Sequence, residues 1–279
     1  MNDLTIRAGA LELAASMYGH SDAPPVLLLH GLGNARDVWF DWAIRLADRY
    51  RVLTLDFRGH GHSARSARYA LADFVEDAEA ALERLGRPAC VVGHSLGGTV
   101  AGALSVAGHK LVARALLVDP AWYFAEPAEF ARTVYPQRFA MLQATVERLR
   151  ASPAPFAAWV ETIATTPHPR GGVFADVLPY RQQVSHASAL QRQDPACWTT
   201  SPTEMFGGID VDAPFQVPTS VIQADSRLGA ALLDHQVERM QQHNRPEALW
   251  HYAGSDHFPH RTTTFADRFG TDLERFLRG

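Results

Sequence analysis

The feature that most constrains this chain is a recurring pair: a short apolar run followed by a segment with helical spacing. Val26-Leu27-Leu28-Leu29 is apolar at every position and too short for a helix, and it stops at His30-Gly31-Leu32-Gly33. Trp39, Trp42, Ala43 and Leu46 then fall at helical spacing between Val38 and Tyr50. Val52-Leu53-Thr54-Leu55 is followed by a helical stripe of Phe74, Ala78, Ala81 and Leu85 that closes at Gly86. Ala89-Cys90-Val91-Val92, a small-residue helix from Leu96 to Ala107, and Ala115-Leu116-Leu117-Val118 continue the series. Strands that are apolar on both faces need cover on both faces, and intervening helices supply it. The pattern predicts an α/β fold with a parallel sheet.

After Asp119-Pro120 the alternation stops for about a hundred residues. That stretch carries helical patterns over Ala128–Arg150, Phe156–Thr165 and Phe174–Leu190, separated by breaks with Pro and Gly. Alternation resumes with Thr219-Ser220-Val221-Ile222, a helix from Leu232 to Gln242, a strand over Ala248–Tyr252 and an amphipathic helix from Phe265 to Leu277. The expected organisation is one α/β core, residues 1–120 and 215–279, interrupted by a helical insertion over 121–214.

The 279 residues are 47% hydrophobic and 20% charged, as expected of a water-soluble chain with a sizeable core. Twenty-six basic and thirty acidic side chains leave a charge of −4, which argues against a nucleic-acid partner. No run of about eighteen apolar residues is present, so no membrane span is expected. Met1–Arg7 lacks a basic flank followed by an apolar block, and Cys90 and Cys197 are too few for a disulfide framework. Both fit a reducing compartment, so the cytoplasm is the expected location. Oligomeric state has no signal in the sequence.

Gly93-His94-Ser95-Leu96-Gly97-Gly98 stands where a predicted strand ends and a predicted helix begins. Gly-x-Ser-x-Gly in that setting is a nucleophile elbow, a tight turn that lifts the serine hydroxyl to the sheet edge. Side chains at the flanking positions would clash with neighbouring backbone, and glycine removes the clash. The helix that follows aims its free N–H groups at the same spot, which favours a developing oxyanion.

With this motif the chain resembles the α/β-hydrolase superfamily. The resemblance extends to His30-Gly31-Leu32-Gly33, Asp56-Phe57-Arg58-Gly59-His60-Gly61-His62-Ser63 and Gly254-Ser255-Asp256-His257-Phe258, which occur in the family's order. It implies an oxyanion hole from the backbone amides of Leu32 and Leu96, and a helical cap over the site. Asp56, His60 and His62 could approach one metal ion, but no further strong ligand is evident. The resemblance implies that this loop braces strand ends.

Serine needs a neighbouring base, and thirteen histidines make the residue type uninformative. His257 lies between the last predicted strand and the final helix, where the family places its base. His94 adjoins the serine, but neighbouring side chains on a sharp turn point apart. The acid must receive the far imidazole N–H. The family usually takes it from a Gly-x-x-Asp segment after the cap. Here Gln223-Ala224-Asp225-Ser226-Arg227 puts arginine at that position and Asp225 two residues early. A family variant uses the end of the strand before the cap, which is Asp119. Asp119 is taken first and Asp225 stays open.

Most large apolar side chains of the insertion are expected to pack internally. Trp122, Tyr123 and Phe124 directly follow Asp119-Pro120 and are expected to line the substrate pocket at the strand ends. An apolar underside implies an apolar group in a small-molecule substrate, and the missing basic cluster argues against a highly anionic one. The expected activity is hydrolysis of a carboxylic ester or lactone by Ser95, His257 and an aspartate, without cofactor or metal. The same residues could serve C–C bond hydrolysis or perhydrolysis, and a non-catalytic binding protein on this fold is the alternative of another class.

Overall fold

A computed structural model describes residues 1–151 and 154–279; of the 121–214 insertion, positions 152 and 153 lie outside the described residues. Eight strands form one sheet: β1 (Asn2–Ala8), β2 (Leu11–Tyr18), β3 (Pro25–Leu29), β4 (Arg51–Leu55), β5 (Ala89–His94), β6 (Val112–Val118), β7 (Thr219–Ala224) and β8 (Ala248–Tyr252). Their order is β1-β2-β4-β3-β5-β6-β7-β8. The pairings β1/β2 and β2/β4 are antiparallel, and all others are parallel. Every residue of β3 and β7 is buried, as a sheet covered on both faces requires.

Before β6 the helices are α1 (Phe40–Leu46), α2 (Leu71–Leu85) and α3 (Leu96–Val106). Between β6 and β7 come α4 (Pro127–Ala131), α5 (Tyr135–Ala151), α6 (Phe156–Thr165), α7 (Tyr180–Arg192), α8 (Ala196–Thr199) and α9 (Pro202–Phe206). After β7 come α10 (Asp234–His243) and α11 (Ala266–Arg278). The one helix expected over Ala128–Arg150 is two. Pro136 lacks an N–H, and its ring would strike the carbonyl of Arg132 in a continuous helix, so α4 ends and α5 restarts at Tyr135. Likewise Phe174–Leu190 splits at Pro179, which leads into α7. Val146, Leu149, Trp159, Val160, Ile163 and Leu190 give these inserted helices an apolar cluster of their own.

The glycine-rich loop after β4 is a brace. Asp56 accepts the backbone N–H groups of Arg36 and His62 at 2.6 and 2.9 Å and pairs with the Arg36 guanidinium. Arg58 is buried among three carboxylates, those of Asp73, Glu76 and Asp77.

Histidine rings fill the layer just beyond the strand ends. The rings of His30 and His60 lie 5.1 Å apart, and His94 lies 4.4 Å from His260, which in turn stacks on Trp39. Their bonds fit the neutral form. His30 Nε2 accepts from Phe57 N–H, so its Nδ1–H donates to the Gly31 carbonyl. In the same way His60 Nδ1 donates to the Arg58 carbonyl, and its Nε2 receives the Gln193 amide. Neither nitrogen of His260 has a partner among the described residues.

Burial lowers all four: His30 to about 4, His60 to about 3, and His94 and His260 well below 6.5. The unfolded chain therefore binds these protons first, and stability falls with pH once it drops below the ordinary imidazole value of about 6.5. Four such groups lower the unfolding free energy by on the order of 5 kcal/mol between about pH 7.5 and 5.5. Urea unfolding at the two pH values measures this, and equal midpoints would show that the rings are not neutral in the folded chain.

Candidate active site

The turn from β5 into α3 carries Ser95 at φ 53°, ψ −115°, a left-handed conformation unusual for a residue with a side chain. Such strain costs about 1–3 kcal/mol, and the surroundings hold it in place. Ser95 N–H donates to the Val118 carbonyl at 3.0 Å, and its own carbonyl accepts from Thr99. A Cβ on Gly93 would meet the Gly97 carbonyl oxygen at 2.0 Å, and one on Gly97 would meet the Leu29 oxygen at 2.5 Å. The two glycines flanking the serine are therefore steric requirements of this turn. The backbone N–H of Leu96, in the first turn of α3, has no acceptor among the described residues, nor does that of Leu32.

Ser95 and His257 line one cavity of about 180 Å³. The His257 ring is fixed from three sides. Its Nδ1 lies 2.6 Å from Asp119 Oδ2, and both side chains are buried. His94 Nε2 donates to the His257 carbonyl at 2.8 Å. Tyr135, from α5, sets its ring edge-on to the imidazole at 5.3 Å and donates its hydroxyl to the Gly229 carbonyl. Gly31 is narrow for the same reason, because a Cβ there would come within 2.9 Å of His94 Nδ1.

Asp119 sits at φ 44° at the end of β6. Besides His257 it accepts the backbone N–H groups of Ala224, Ala231 and Leu232 at 3.2, 2.7 and 3.3 Å. Burial pushes the carboxyl upward and these N–H groups oppose it. Three of the four neighbours are backbone N–H groups that can only donate, which suits a carboxylate and the His257 tautomer that carries its proton on Nδ1. Burial, reinforced by the charges of Arg138 and Arg261, lowers His257 and keeps it neutral.

Asp225 is otherwise engaged. Its oxygens accept Arg227 N, Nε and Nη2 and the Gly254 N–H, and the Arg227 guanidinium holds it well below the usual carboxylate range. It anchors the start of the loop that carries His257.

Trp122, Tyr123 and Phe124 correct an expectation. They are fully buried in the core and do not line the cavity. The chain turns at Asp119 and runs back over α3, so the Trp122 ring covers Gly102, where a Cβ would lie 2.2 Å from it. Its Nε1 donates to the Val211 carbonyl. Phe124 packs on Phe130, Tyr135 and Phe206. The apolar wall comes instead from residues expected to be internal packing, among them Tyr135, Phe139, Leu142, Trp159 and Phe174, and from Trp198. Asn34, Arg138 and Arg261, not singled out in the sequence, also face the cavity. A second buried His–Asp contact, His168 Nε2 to Asp256 Oδ2 at 2.9 Å, ties the insertion to the residue beside His257.

No helix among the described residues is long and apolar enough to cross a membrane. Comparison with known proteins places this geometry in a family. The magnesium-chelatase 30 kDa subunit of Rhodobacter capsulatus is 38% identical over 34% of this chain and 34% of its own length. The pimeloyl-[acyl-carrier protein] methyl ester esterase of Methylococcus capsulatus is 39% identical over 37% of this chain and 40% of its own length. This chain thus matches well under half the length of those curated relatives. An esterase from Exiguobacterium antarcticum superposes with a TM-score of 0.74 at 19% identity, covering 100% of both chains, which establishes the shared fold. A model of the alpha/beta hydrolase family matches residues 26–268, and the chain belongs to that family.

Proposed function

We propose that the protein is a serine hydrolase that cleaves a carboxylic ester or lactone with an apolar group, with residues 121–214 as its cap. The observation that carries this reading is the buried 2.6 Å bond between His257 and Asp119, on a cavity that also exposes the strained Ser95. The hydroxyl of Ser95 attacks the ester carbonyl while its proton passes to His257 Nε2. The imidazolium so formed is stabilised by the Asp119 carboxylate at Nδ1. The carbonyl oxygen, now an anion, is received by the free N–H groups of Leu32 and Leu96. The C–O bond to the leaving group then breaks, and His257 returns the proton to the departing alcohol. Water repeats the sequence on the acyl-serine, releasing the acid and restoring the hydroxyl. A lactone follows the same course and yields one hydroxy acid. The apolar wall accommodates the acyl group.

Hydrolysis of a chain-length series of p-nitrophenyl esters tests the assignment. Ser95→Ala should lower kcat by a factor on the order of 10⁴ or more, and Asp119→Asn by about 10⁴ with the protein still folded. Asp225→Asn should keep a rate near wild type. Activity that survives Ser95→Ala, or a large loss confined to Asp225→Asn, would remove the assignment.

The pH profile follows from the state of His257. Asp119, Asp256, His94, Tyr135, Arg138, Arg261 and His260 are among the titratable and charged groups around it. The base must be neutral to take the serine proton, and its value is lowered. The acidic limb of kcat/KM therefore lies below the ordinary imidazole value of about 6.5, with activity present above it and lost beneath it. An acidic limb at or above that value would show that the folded imidazole is not held neutral.

A further inference from the structure

Two guanidinium groups face the cavity, and neither has a carboxylate partner among the described residues. Arg261 is only 4% exposed. Its donors reach Gln182 Oε1 at 3.0 Å, Asn34 Oδ1 at 2.8 Å and the Gln182 carbonyl at 3.2 Å, all of them neutral acceptors. Arg138, on α5, has a buried Nη1 with no hydrogen-bond partner among the described residues. Elsewhere guanidinium groups drawn into the molecule are paired directly: the buried Arg58 is surrounded by three carboxylates, and the half-buried Arg36 is paired with Asp56. A positive charge withdrawn from water is costly without direct pairing, and the carboxylates that act on these two, Asp119 on Arg138 and Asp256 on Arg261, do so from beyond ion-pair distance. The bridging role of Arg261 between α7 and Asn34 calls for hydrogen-bond donors, not for a charge.

Both charges lie close to the reacting end of the cavity. The guanidinium carbon of Arg138 is 5.5 Å from the Tyr135 ring, which meets His257 at 5.3 Å. That of Arg261 is 5.2 Å from the Phe258 ring, which lies 5.0 Å from His257. Each charge is thus one aromatic ring away from the imidazole, on an otherwise apolar wall. In the ligand-free cavity both oppose the imidazolium that the proposed chemistry must form. A ligand anion beside them would remove that opposition at the moment the proton is transferred.

Taking the hydrolase reading as its basis, we propose that the cavity selects a substrate whose apolar acyl group carries a carboxylate, received directly by Arg138 and reinforced by the charge of Arg261. The substrate class is then a half-ester of a dicarboxylic acid, or a lactone bearing an acid group. Apolar side chains hold the connecting methylenes, and the Arg138 guanidinium donates to the carboxylate. The absence of a basic cluster along the sequence argues against a highly anionic substrate, and a single carboxylate stays within that expectation. The two arginines are 123 residues apart and meet only in the fold.

The test compares hydrogen p-nitrophenyl glutarate with methyl p-nitrophenyl glutarate, identical apart from the carboxylate charge and its methyl cap. Wild type should favour the acid by about ten- to a hundredfold in kcat/KM, the worth of a charge-assisted hydrogen bond. In Arg138→Met that ratio should fall to near one, and Arg138→Lys should recover part of it. A wild-type ratio at or below one, or a ratio unchanged in Arg138→Met, overturns the proposal. Calorimetric binding of monomethyl glutarate and dimethyl glutarate to Ser95→Ala reads the same recognition without turnover. Preference for the monoanion there, lost when Arg138→Met is added, supports the anion site even if neither ester is hydrolysed by wild type. In that outcome the hydrolase reading fails alone. Equal binding of the two in Ser95→Ala counts against the anion site whatever the rates.

Discussion

The strained turn at Ser95 is the constraint on which the arrangement rests. A residue with a side chain at φ 53° persists only where its surroundings leave it no relaxed alternative. Here the serine N–H is held by Val118, at the end of β6, and the Gly97 N–H by the His30 carbonyl, just past β3. Three neighbouring parallel strands therefore clamp one turn, and the sheet order β3-β5-β6 puts them side by side. The same clamp leaves the N–H of Leu96 without an acceptor, because its position in the first turn of α3 denies it a helical partner. Strain in the turn and the placing of Ser95 on the cavity share this one cause.

The parts of the molecule legible in the sequence are those with local causes. Gly93 and Gly97 are demanded by contacts a few residues away or by adjacent strands, so the motif carried its geometry with it. The doubly buried strands announced themselves as unbroken apolar runs. The hairpin of β1 and β2 has its own local signal, the alternation of Leu4, Ile6 and Ala8 with Leu11, Leu13 and Ala15 about Gly9-Ala10, but exposed polar residues dilute it. The partner of His257 was of another kind. Asp119 and Asp225 both end strands, and what separates them is that Asp119 faces the N–H groups of Ala224, Ala231 and Leu232, while Arg227 occupies Asp225. That difference depends on contacts more than a hundred residues apart for Asp119, and no spacing rule reads it. The aromatic run at 122–124 misled for a related reason. Proximity to a strand end along the chain does not survive a turn with φ 44°.

Several polar ties between the insertion and the core end on the loops that surround the site. His168 reaches Asp256, the neighbour of His257. Arg261 joins Gln182 of α7 to Asn34, two residues beyond Leu32. Gln193 bonds His60, and Asp194 accepts the Tyr69 hydroxyl at 2.8 Å. Other ties run to core helices: Gln182 reaches Asp41 of α1, and Glu129 of α4 accepts the Gln236 amide of α10. The inserted helices thus hold the loops while their own apolar cluster holds them together. Val146 and Leu149 of α5 and Trp159 and Ile163 of α6 belong both to that cluster and to the cavity wall, which is why helical periodicity alone could not separate packing residues from lining ones.

Burial has opposite consequences for the two kinds of ionisable group gathered here. For imidazole it favours the neutral form, which is the form a base needs, and the histidine layer is bonded accordingly. For guanidinium it does not remove the charge, since Arg261 is lowered only to about 10 and stays protonated near neutral pH. The cavity thus combines a neutral imidazole with permanent cations on a mostly apolar wall, while the carboxylates of Asp119 and Asp256 act from behind it. Within such walls the attraction between a cation and an anionic guest is screened far less than in water, so a few ångströms decide whether the guest is held. The same low dielectric sharpens the bond from His257 to Asp119 once the imidazole takes a proton. In the proposed reaction, binding and proton transfer draw on one electrostatic environment, set by which charges the fold has paired and which it has left open.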